Sequence, residues 1–316
     1  MKERTMTKIE RLDAVLRGEK PDRAPISMWY HFGNQHLSGE KYAAIALKWF
    51  EHYDFDFLKL MNDYFYPMPE GIEEAKSVED LRKIVRFDPE SCDWREQLVA
   101  VRSIAERLAG KAYFIDTVFD PWQSLQRSIA GEHLVGLAKS APNELKAALD
   151  LVADNLIAYS KKTLSLGASG IFMSILGSSS QMDRELFLEF AKPAAMKVLE
   201  ALKDFGSMNT AHIHGAGTYV DDILNFPVAI ISWEDRLEGN PSIEEMKRRW
   251  PGVVMGGIDH EQVTRVSTTY CRENVREGMR LGGERRFILA NGCSIPTWLD
   301  PHALKAMVDT AKSGKV

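Results

Sequence analysis

Short apolar segments recur along the chain, and longer stretches with a helical pattern separate them. Most of these segments are about five to eight residues long, apolar at successive positions, and bounded by Gly, Pro or Asp. Strands that are buried on both faces have this pattern, because neither face alternates with solvent. The pattern predicts eight strands, which cover residues 24–29, 55–61, 112–119, 169–176, 208–214, 226–233, 252–258 and 286–290.

Helical patterns fill the intervals between the predicted strands. The clearest covers residues 143–166, where Leu145, Leu149, Val152 and Leu156 recur on one apolar stripe. Further predicted helices cover residues 43–53, 95–108, 184–205, 243–250 and 260–281.

A separate helix is predicted at the amino terminus. Thr7 and Glu10 have the spacing of a capping box, which marks a helix start. Gly18 and Pro21 follow the last apolar position and end the run. We therefore expect a helical extension over residues 1–23, ahead of the main domain.

The strict alternation of strands and helices predicts the fold class. Strands joined through crossover helices pair in parallel, and eight such repeats close a (β/α)8 TIM barrel, here over residues 24–316. The alternative is an open doubly wound sheet. That alternative is disfavoured because no glycine-rich phosphate-binding fingerprint follows the first strand.

Composition narrows the functional classes. The 316 residues are 45% hydrophobic and 27% charged, with a net charge of −5 and a pI near 6.0. An acidic chain lacks the basic footprint of a nucleic-acid-binding protein. Three cysteines are too few for a disulfide framework. No apolar run approaches the roughly 20 residues that cross a bilayer. We therefore expect a soluble cytoplasmic protein that binds neither nucleic acid nor a membrane.

The ends of the predicted strands carry much of the reactive chemistry of the chain. Four of the eight histidines (His31, His212, His214 and His260) follow a strand, and so does Cys293. Because the active site of a barrel lies at the carboxyl ends of its strands, this edge is where we expect catalysis.

A metal site is predicted from His212, His214, Glu234 and Cys293. Residues two apart in a strand point to the same side, so both imidazoles can face the barrel interior. Glu234 ends the neighbouring strand, and Cys293 follows the last one. Imidazole, carboxylate and thiolate ligands together suit Zn²⁺. The alternative is that the histidines hydrogen-bond to carboxylates without any metal.

Other side chains at the strand ends have possible catalytic roles. Asp63, Asp116 and His31 are candidates for orienting the substrate or moving protons. The alternative for such an Asp is a helix N-cap or a loop salt bridge.

Aromatic side chains near the same ends are candidates for substrate binding. Trp29, Tyr30, Tyr64 and Trp122 are predicted to line a pocket for a flat or apolar ligand. The alternative is that they seal the barrel against its helices.

Three motifs give the chain a family resemblance. They are the opening segment 11–23 (RLDAVLRGEKPDR), the segment 167–171 (GASGI) and the closing segment 291–296 (NGCSIP). Together they resemble the uroporphyrinogen decarboxylase superfamily, which includes zinc-dependent methyltransferases that move methyl groups between corrinoids and thiols. The opening and closing motifs are specific only in combination.

The methyltransferase branch is the better match. The resemblance implies zinc ligands from an H-x-C motif after strand five and a cysteine after strand eight, which here correspond to His212, His214 and Cys293. Glu234 is similar to a glutamate in the related barrel of cobalamin-independent methionine synthase. His214 departs from the pattern, which has cysteine. A neutral imidazole in place of a thiolate should make the zinc a stronger Lewis acid.

The resemblance implies a zinc-dependent methyltransferase acting on a corrinoid or a methylated small molecule. The chain has no corrinoid-binding D-x-H-x-x-G motif, so a corrinoid would arrive free or on a partner protein. One alternative is decarboxylation of a porphyrinogen or a smaller acid. Asp63 matches the decarboxylase aspartate, but no arginine motif follows strand one and Cys293 replaces a late histidine. Another alternative is a barrel that binds a tetrapyrrole or corrinoid without turnover.

Overall fold

The computed structural model describes residues 4–33, 35–264 and 267–314. Within these residues, eight parallel strands follow the order β1-β8-β7-β6-β5-β4-β3-β2, which confirms the predicted (β/α)8 barrel. The strands are β1 (Ile26–Ser27), β2 (Phe57–Leu60), β3 (Tyr113–Phe119), β4 (Gly170–Leu176), β5 (Thr210–His214), β6 (Ile230–Trp233), β7 (Val253–Ile258) and β8 (Phe287–Asn291).

The barrel closes between β1 and β2 without a regular ladder. The backbone N–H of Asp56 donates to the carbonyl of Ile26 at 2.9 Å. The Ser27 hydroxyl donates to the carbonyl of Phe57 at 2.8 Å. These two hydrogen bonds take the place of a strand ladder between β1 and β2, which are the two ends of the strand order.

Helices surround the strands. They are α1 (Lys8–Leu16), α2 (Gly39–Tyr53), α3 (Val78–Leu81), α4 (Trp94–Leu108), α5 (Pro121–Leu125), α6 (His133–Ser140), α7 (Pro142–Ser165), α8 (Arg184–Leu186), α9 (Lys192–Leu202), α10 (Ile243–Arg249), α11 (Thr268–Gly282) and α12 (Pro301–Ser313). The run predicted over 184–205 is divided by a π-helical turn, Phe187–Ala191. The predicted helix 260–281 begins only at Thr268, and α12 was not predicted from the pattern.

Alternation along the strands separates two buried layers. Outward side chains such as Leu58 and Leu60 of β2 pack against the helices. Inward side chains such as Phe57 and Met61 fill the barrel interior, which we call the lumen. This alternation decides which polar side chains reach the mouth, because only the inward positions point at a ligand there.

Helix α1 closes the amino end of the lumen. Its N-cap Thr7 and Glu10 form the predicted capping box. Leu12 and Val15 are fully buried and belong to the same inner cluster as the lumen side chains. Arg11 fixes the helix to the barrel through an ion pair with Asp56 at 2.7 Å.

Candidate metal centre at the barrel mouth

Four side chains from three strands converge at the carboxyl end of the barrel. His212 and His214 are inward positions of β5, Glu234 directly follows β6, and Cys293 lies two residues after β8. One nitrogen, oxygen or sulfur atom from each lies within 4.8 Å of the others. The structure thus brings together the four residues that the sequence predicts as metal ligands.

The distances inside this cluster suit a small cation. His214 Nδ1 lies 2.7 Å from Glu234 Oε1 and 3.5 Å from Cys293 Sγ. Donors on a tetrahedral zinc ion lie about 3.3 to 3.8 Å apart, given bonds of about 2.0 to 2.3 Å. Small side-chain adjustments would therefore convert the observed hydrogen-bonded cluster into a coordination shell.

Neighbouring groups orient the two ligands on β5 and β6. The Ser232 hydroxyl lies 3.2 Å from Nδ1 of His212, which leaves Nε2 of that imidazole for a metal. The backbone N–H of Gly215 donates to Glu234 Oε1 at 2.7 Å. Gly215 has φ +100°, and a Cβ there would lie 2.3 Å from the Ser178 hydroxyl oxygen, so only glycine fits this close approach.

His260 links the glutamate to the cysteine. Its Nδ1 accepts a hydrogen bond from the backbone N–H of Cys293 at 3.3 Å. The proton of a neutral His260 must then be on Nε2, which lies 3.4 Å from Glu234 Oε2. Asn291 donates to the carbonyl of Cys293 at 2.6 Å and so holds the same loop from the other side.

The cluster carries compensating charges in the absence of a metal. Burial and the nearby His214 lower the pKa of His212 to about 3, so His212 is a neutral ligand at pH 7. Hydrogen bonds to Cys293 and Glu234 raise the pKa of His214 to about 10. Burial opposes ionisation of Glu234, but its hydrogen bond to His214 and the His214 charge lower its pKa to about 2. A bound cation would displace the His214 proton.

Two of the predicted catalytic residues form a separate pair at the mouth. His31 Nδ1 lies 2.5 Å from Asp63 Oδ1, and the backbone N–H of Gly33 donates to the other carboxylate oxygen at 3.1 Å. The His31 side chain is about half exposed, whereas that of Asp63 is largely buried. The pair contacts solvent on one side and is not part of the metal cluster.

Asp116, the third predicted catalytic residue, lies on the outer face of β3. Its carboxylate accepts hydrogen bonds from Gln97 Nε2 at 2.9 Å and from the Tyr159 hydroxyl at 2.6 Å. Both donors come from the surrounding helices α4 and α7. Asp116 therefore bonds away from the lumen, and the structure does not bring it to the cluster.

The four predicted substrate-binding aromatics occupy different places. Trp29 is buried in the lumen, with its ring centroid 5.5 Å from that of Phe172. Tyr64 is buried beside the mouth, and its hydroxyl donates to a loop carbonyl at 3.4 Å. Trp122 is buried outside the barrel against Phe190.

Tyr30, the fourth of these aromatics, lies outside the lumen. It packs on Trp49 and lines a cavity of about 730 Å³ between α2 and the segment leading into α12. None of the four candidate metal ligands lines this cavity. Of the four aromatics, only Trp29 faces the lumen.

The sequence interpretation missed Lys59. This lysine is an inward position of β2, only 4% exposed, and its ammonium lies over the rings of Phe172 and Trp29 at 4.4 and 5.3 Å. The available signal was a lysine in the middle of an apolar strand, where a charged side chain is unexpected.

A (β/α)8 barrel with a candidate metal centre at the carboxyl ends of its strands belongs to a class of enzymes that carry their active sites there. The family model for uroporphyrinogen decarboxylase matches residues 7–314, so the chain belongs to the uroporphyrinogen decarboxylase family. This finding confirms the resemblance seen in the three sequence motifs.

Similar proteins include methyltransferases. Methylcobamide:CoM methyltransferase MtbA of Methanosarcina mazei is 25% identical over 241 residues, which are 76% of this chain and 69% of that protein. A methyltransferase structure from Methanosarcina mazei matches with a TM-score of 0.79 at 17% identity, over 98% of this chain and 99% of that one.

A B12-independent methionine synthase from Shewanella sp. W3-18-1, in complex with selenomethionine, matches with a TM-score of 0.50 at 14% identity. The match covers 69% of this chain and 64% of that one. At these identities the two structural matches show a shared fold. Separately, among the described residues we find no helix with the length and apolar character needed to span a membrane.

Proposed function

We propose that this chain is a zinc-dependent methyltransferase, which transfers a methyl group between a corrinoid or methylated small molecule and an acceptor held at the metal centre. The observation that carries the proposal is the convergence of His212, His214, Glu234 and Cys293 within 4.8 Å. The name of the MtbA relative, which describes methyl transfer from a methylcobamide to CoM, supports the same type of reaction.

The donor set fits zinc. Two imidazoles, one carboxylate and one thiolate are all ligands that Zn²⁺ accepts, and an acceptor would join them as a fifth ligand or replace one of them. Ser232 and His260 supply the hydrogen bonds that orient ligating side chains in metal sites. His214 is about one-third exposed, which leaves the cluster open toward the mouth for an acceptor.

When bound, zinc supplies a Lewis acid that lowers the pKa of the accepting group and presents its lone pair. The negative charges of Glu234 and Cys293 keep the ligand set electrically matched to a divalent cation. With His214 where the family pattern has cysteine, a bound zinc would have one thiolate ligand instead of two, which would leave more positive charge on the centre and favour an anionic acceptor atom.

The chain's own residues would then position the acceptor and remove its proton. His31 is paired with Asp63 on one side and exposed on the other, which suits transfer of the acceptor's proton to solvent. A displacement needs nucleophile, carbon and leaving group aligned, so the residues around the metal centre would have to hold the acceptor in line with the methyl carbon. The methyl-corrinoid would approach from outside, free or on a partner protein.

The metal assignment is tested by elemental analysis of the purified protein. We expect about one zinc per chain in the wild type. His212→Ala and Cys293→Ala should lose it, whereas the matched controls His52→Ala and Cys92→Ala, which change residues outside the cluster, should retain it. Retention of zinc in both cluster variants would remove the basis of the proposal.

The reaction is tested by the absorbance change of methylcobalamin in the presence of thiol acceptors. We expect turnover that a chelator abolishes and added zinc restores. Full activity of the metal-free protein on a carboxylated porphyrinogen would favour the decarboxylase alternative. A stable coloured complex whose spectrum does not change with time would favour a binding barrel without turnover.

A further inference from the structure

Lys59 is a buried cation without an anionic partner. Within the ranges that the structure describes, its ammonium makes no ion pair, and the one polar contact assigned to it is the thioether sulfur of Met61. Burying an ammonium is costly unless an anion accompanies it. The side chain therefore lacks the partner that would normally accompany such a charge.

The surroundings of Lys59 compensate its charge only in part. The faces of Phe172 and Trp29 attract the ammonium, but aromatic rings offer less than a carboxylate does. Burial lowers the pKa of Lys59 to about 7, although the nearby Asp63 and Asp116 favour the protonated amine. The folded chain would hold the ammonium more firmly if an anion joined it.

The location of Lys59 connects it to the metal centre. Its ammonium lies 4.4 Å from the centroid of Phe172, and that ring stacks on His212 at 5.0 Å between centroids. One aromatic layer thus separates the cation from a candidate metal ligand. The ammonium therefore lies less than about 10 Å from the His212 ring, a separation that a short molecule with a polar group at each end can span.

We propose that Lys59 binds a carboxylate at the inner end of the substrate, whose outer end is the acceptor atom held at the metal centre. This inference rests on the proposed function. It assigns the substrate to the class of short molecules with a metal-binding donor at one end and a carboxylate at the other. Lys59 is then the residue that selects for the charge of the substrate.

A carboxylate suits the donors that surround Lys59. Two hydroxyls at inward positions already have partners, since Thr117 donates to the carbonyl of Leu60 and Ser232 contacts His212. A single cation matches a monoanion, and a carboxylate is a planar monoanion with two oxygens. A sulfonate has a third oxygen and a phosphate a second charge, and each would need a further donor beside the one ammonium.

The first test measures Lys59 directly, without reference to methyl transfer. The full-length protein as purified is labelled with [6-¹³C]lysine, and the Lys59 signal is assigned by its absence in Lys59→Met. Propionate should shift this signal and keep it in the charged form to higher pH, whereas propionamide should not. Equal effects of propionate and propionamide, or no effect of either, would overturn the proposal.

The second test places the carboxylate and the metal ligand in one molecule. The zinc-loaded protein should bind 3-mercaptopropionate about tenfold or more better than 3-mercaptopropanamide, which is the preference expected from one charge-assisted hydrogen bond. Lys59→Met should reduce this ratio to near one while binding the neutral thiol normally. Lys161→Met, which removes a surface lysine over Phe205, should keep the ratio.

The outcomes separate the two proposals. If neither thiol binds, the thiol acceptor of the proposed function is wrong, and the propionate measurement still decides the role of Lys59. If both thiols bind equally, the metal centre stands and the carboxylate subsite is wrong. If 2-mercaptoethanesulfonate binds better than 3-mercaptopropionate in a Lys59-dependent way, the carboxylate assignment is overturned in favour of a sulfonate.

Discussion

The two faces of β2 and β3 carry buried ionisable side chains that differ in how their charge is balanced. On the outer face, Asp116 accepts hydrogen bonds from Gln97 and Tyr159, and burial raises its pKa to about 6. On the lumen face, Lys59 has two aromatic rings and a thioether around it but no anion. The protein supplies hydrogen-bond donors for Asp116, whereas it supplies no anion for Lys59. A buried charge without a protein partner therefore marks the functional face.

The largest predicted effect of this difference is on how the free energy of unfolding depends on pH. Lys59 has a pKa of about 7 in the folded protein against 10.5 ordinarily. Between these values the unfolded chain binds a proton that the folded chain lacks, so the free energy of unfolding should rise with pH across this window. The destabilisation that comes from burying the Lys59 ammonium is complete below pH 7 and amounts to at most about 5 kcal/mol in the free energy of unfolding.

Lys59→Met removes the buried ammonium and therefore the destabilisation that it causes. In chelator-treated protein, we expect the variant to exceed the wild type in stability by several kcal/mol near pH 6, and by progressively less toward pH 10. Urea unfolding across this range measures the difference. A variant that is less stable than the wild type throughout would show that the ammonium is already compensated by the protein.

A smaller effect is expected on the outer face. Tyr159→Phe deletes the hydroxyl that donates to Asp116 and leaves a buried carboxylate oxygen without that donor. We expect a loss of about 1 to 3 kcal/mol in the free energy of unfolding. Methyl transfer per folded molecule should be unchanged, because the side chains of Asp116, Gln97 and Tyr159 lie outside the lumen. Tyr270→Phe, at an exposed position of α11, is the matched control. If Tyr159→Phe lost turnover but kept normal stability, the separation of the outer-face network from the catalytic lumen would be wrong.

The smallest effect concerns a lumen group that already has a partner. Ser232→Ala removes the hydroxyl beside Nδ1 of His212 while leaving all four candidate ligands in place. We expect zinc affinity to fall about tenfold, with little change in thermal stability. Competition with a chromogenic chelator measures this affinity. An unchanged affinity would mean that stacking on Phe172 alone orients the imidazole.

The sequence was sufficient to predict the barrel, although not where each strand pairs. Segment 24–29 was predicted as a strand, but only Ile26–Ser27 enters the ladder. Pro25 has no N–H to donate, and the N–H of Trp29 donates to the Asn291 side chain at 3.3 Å instead. Local chemistry of this kind is not visible in the apolar pattern.

The site was predicted only in part, because the spacing of residues along a strand shows which side chains share a face but not which face is inward. His212 and His214 were identified together because the two-residue spacing fixes their common direction. Asp116 follows Ile115, which faces the lumen, and therefore faces outward. A strand that is apolar on both faces does not reveal which parity is inward, so the sequence assigned Asp116 to the mouth and overlooked Lys59.

Helix α1 has a consequence for the order of events. Leu12 and Val15 pack into the same inner cluster as the lumen side chains and close the amino end of the barrel, so a ligand reaches the metal centre from the carboxyl end of the strands. The acceptor, the methyl donor and the product therefore all use the carboxyl end of the barrel. Under the proposed reaction, the small acceptor must descend before a donor as bulky as a corrinoid covers the entrance, and the donor must leave before the methylated product can escape.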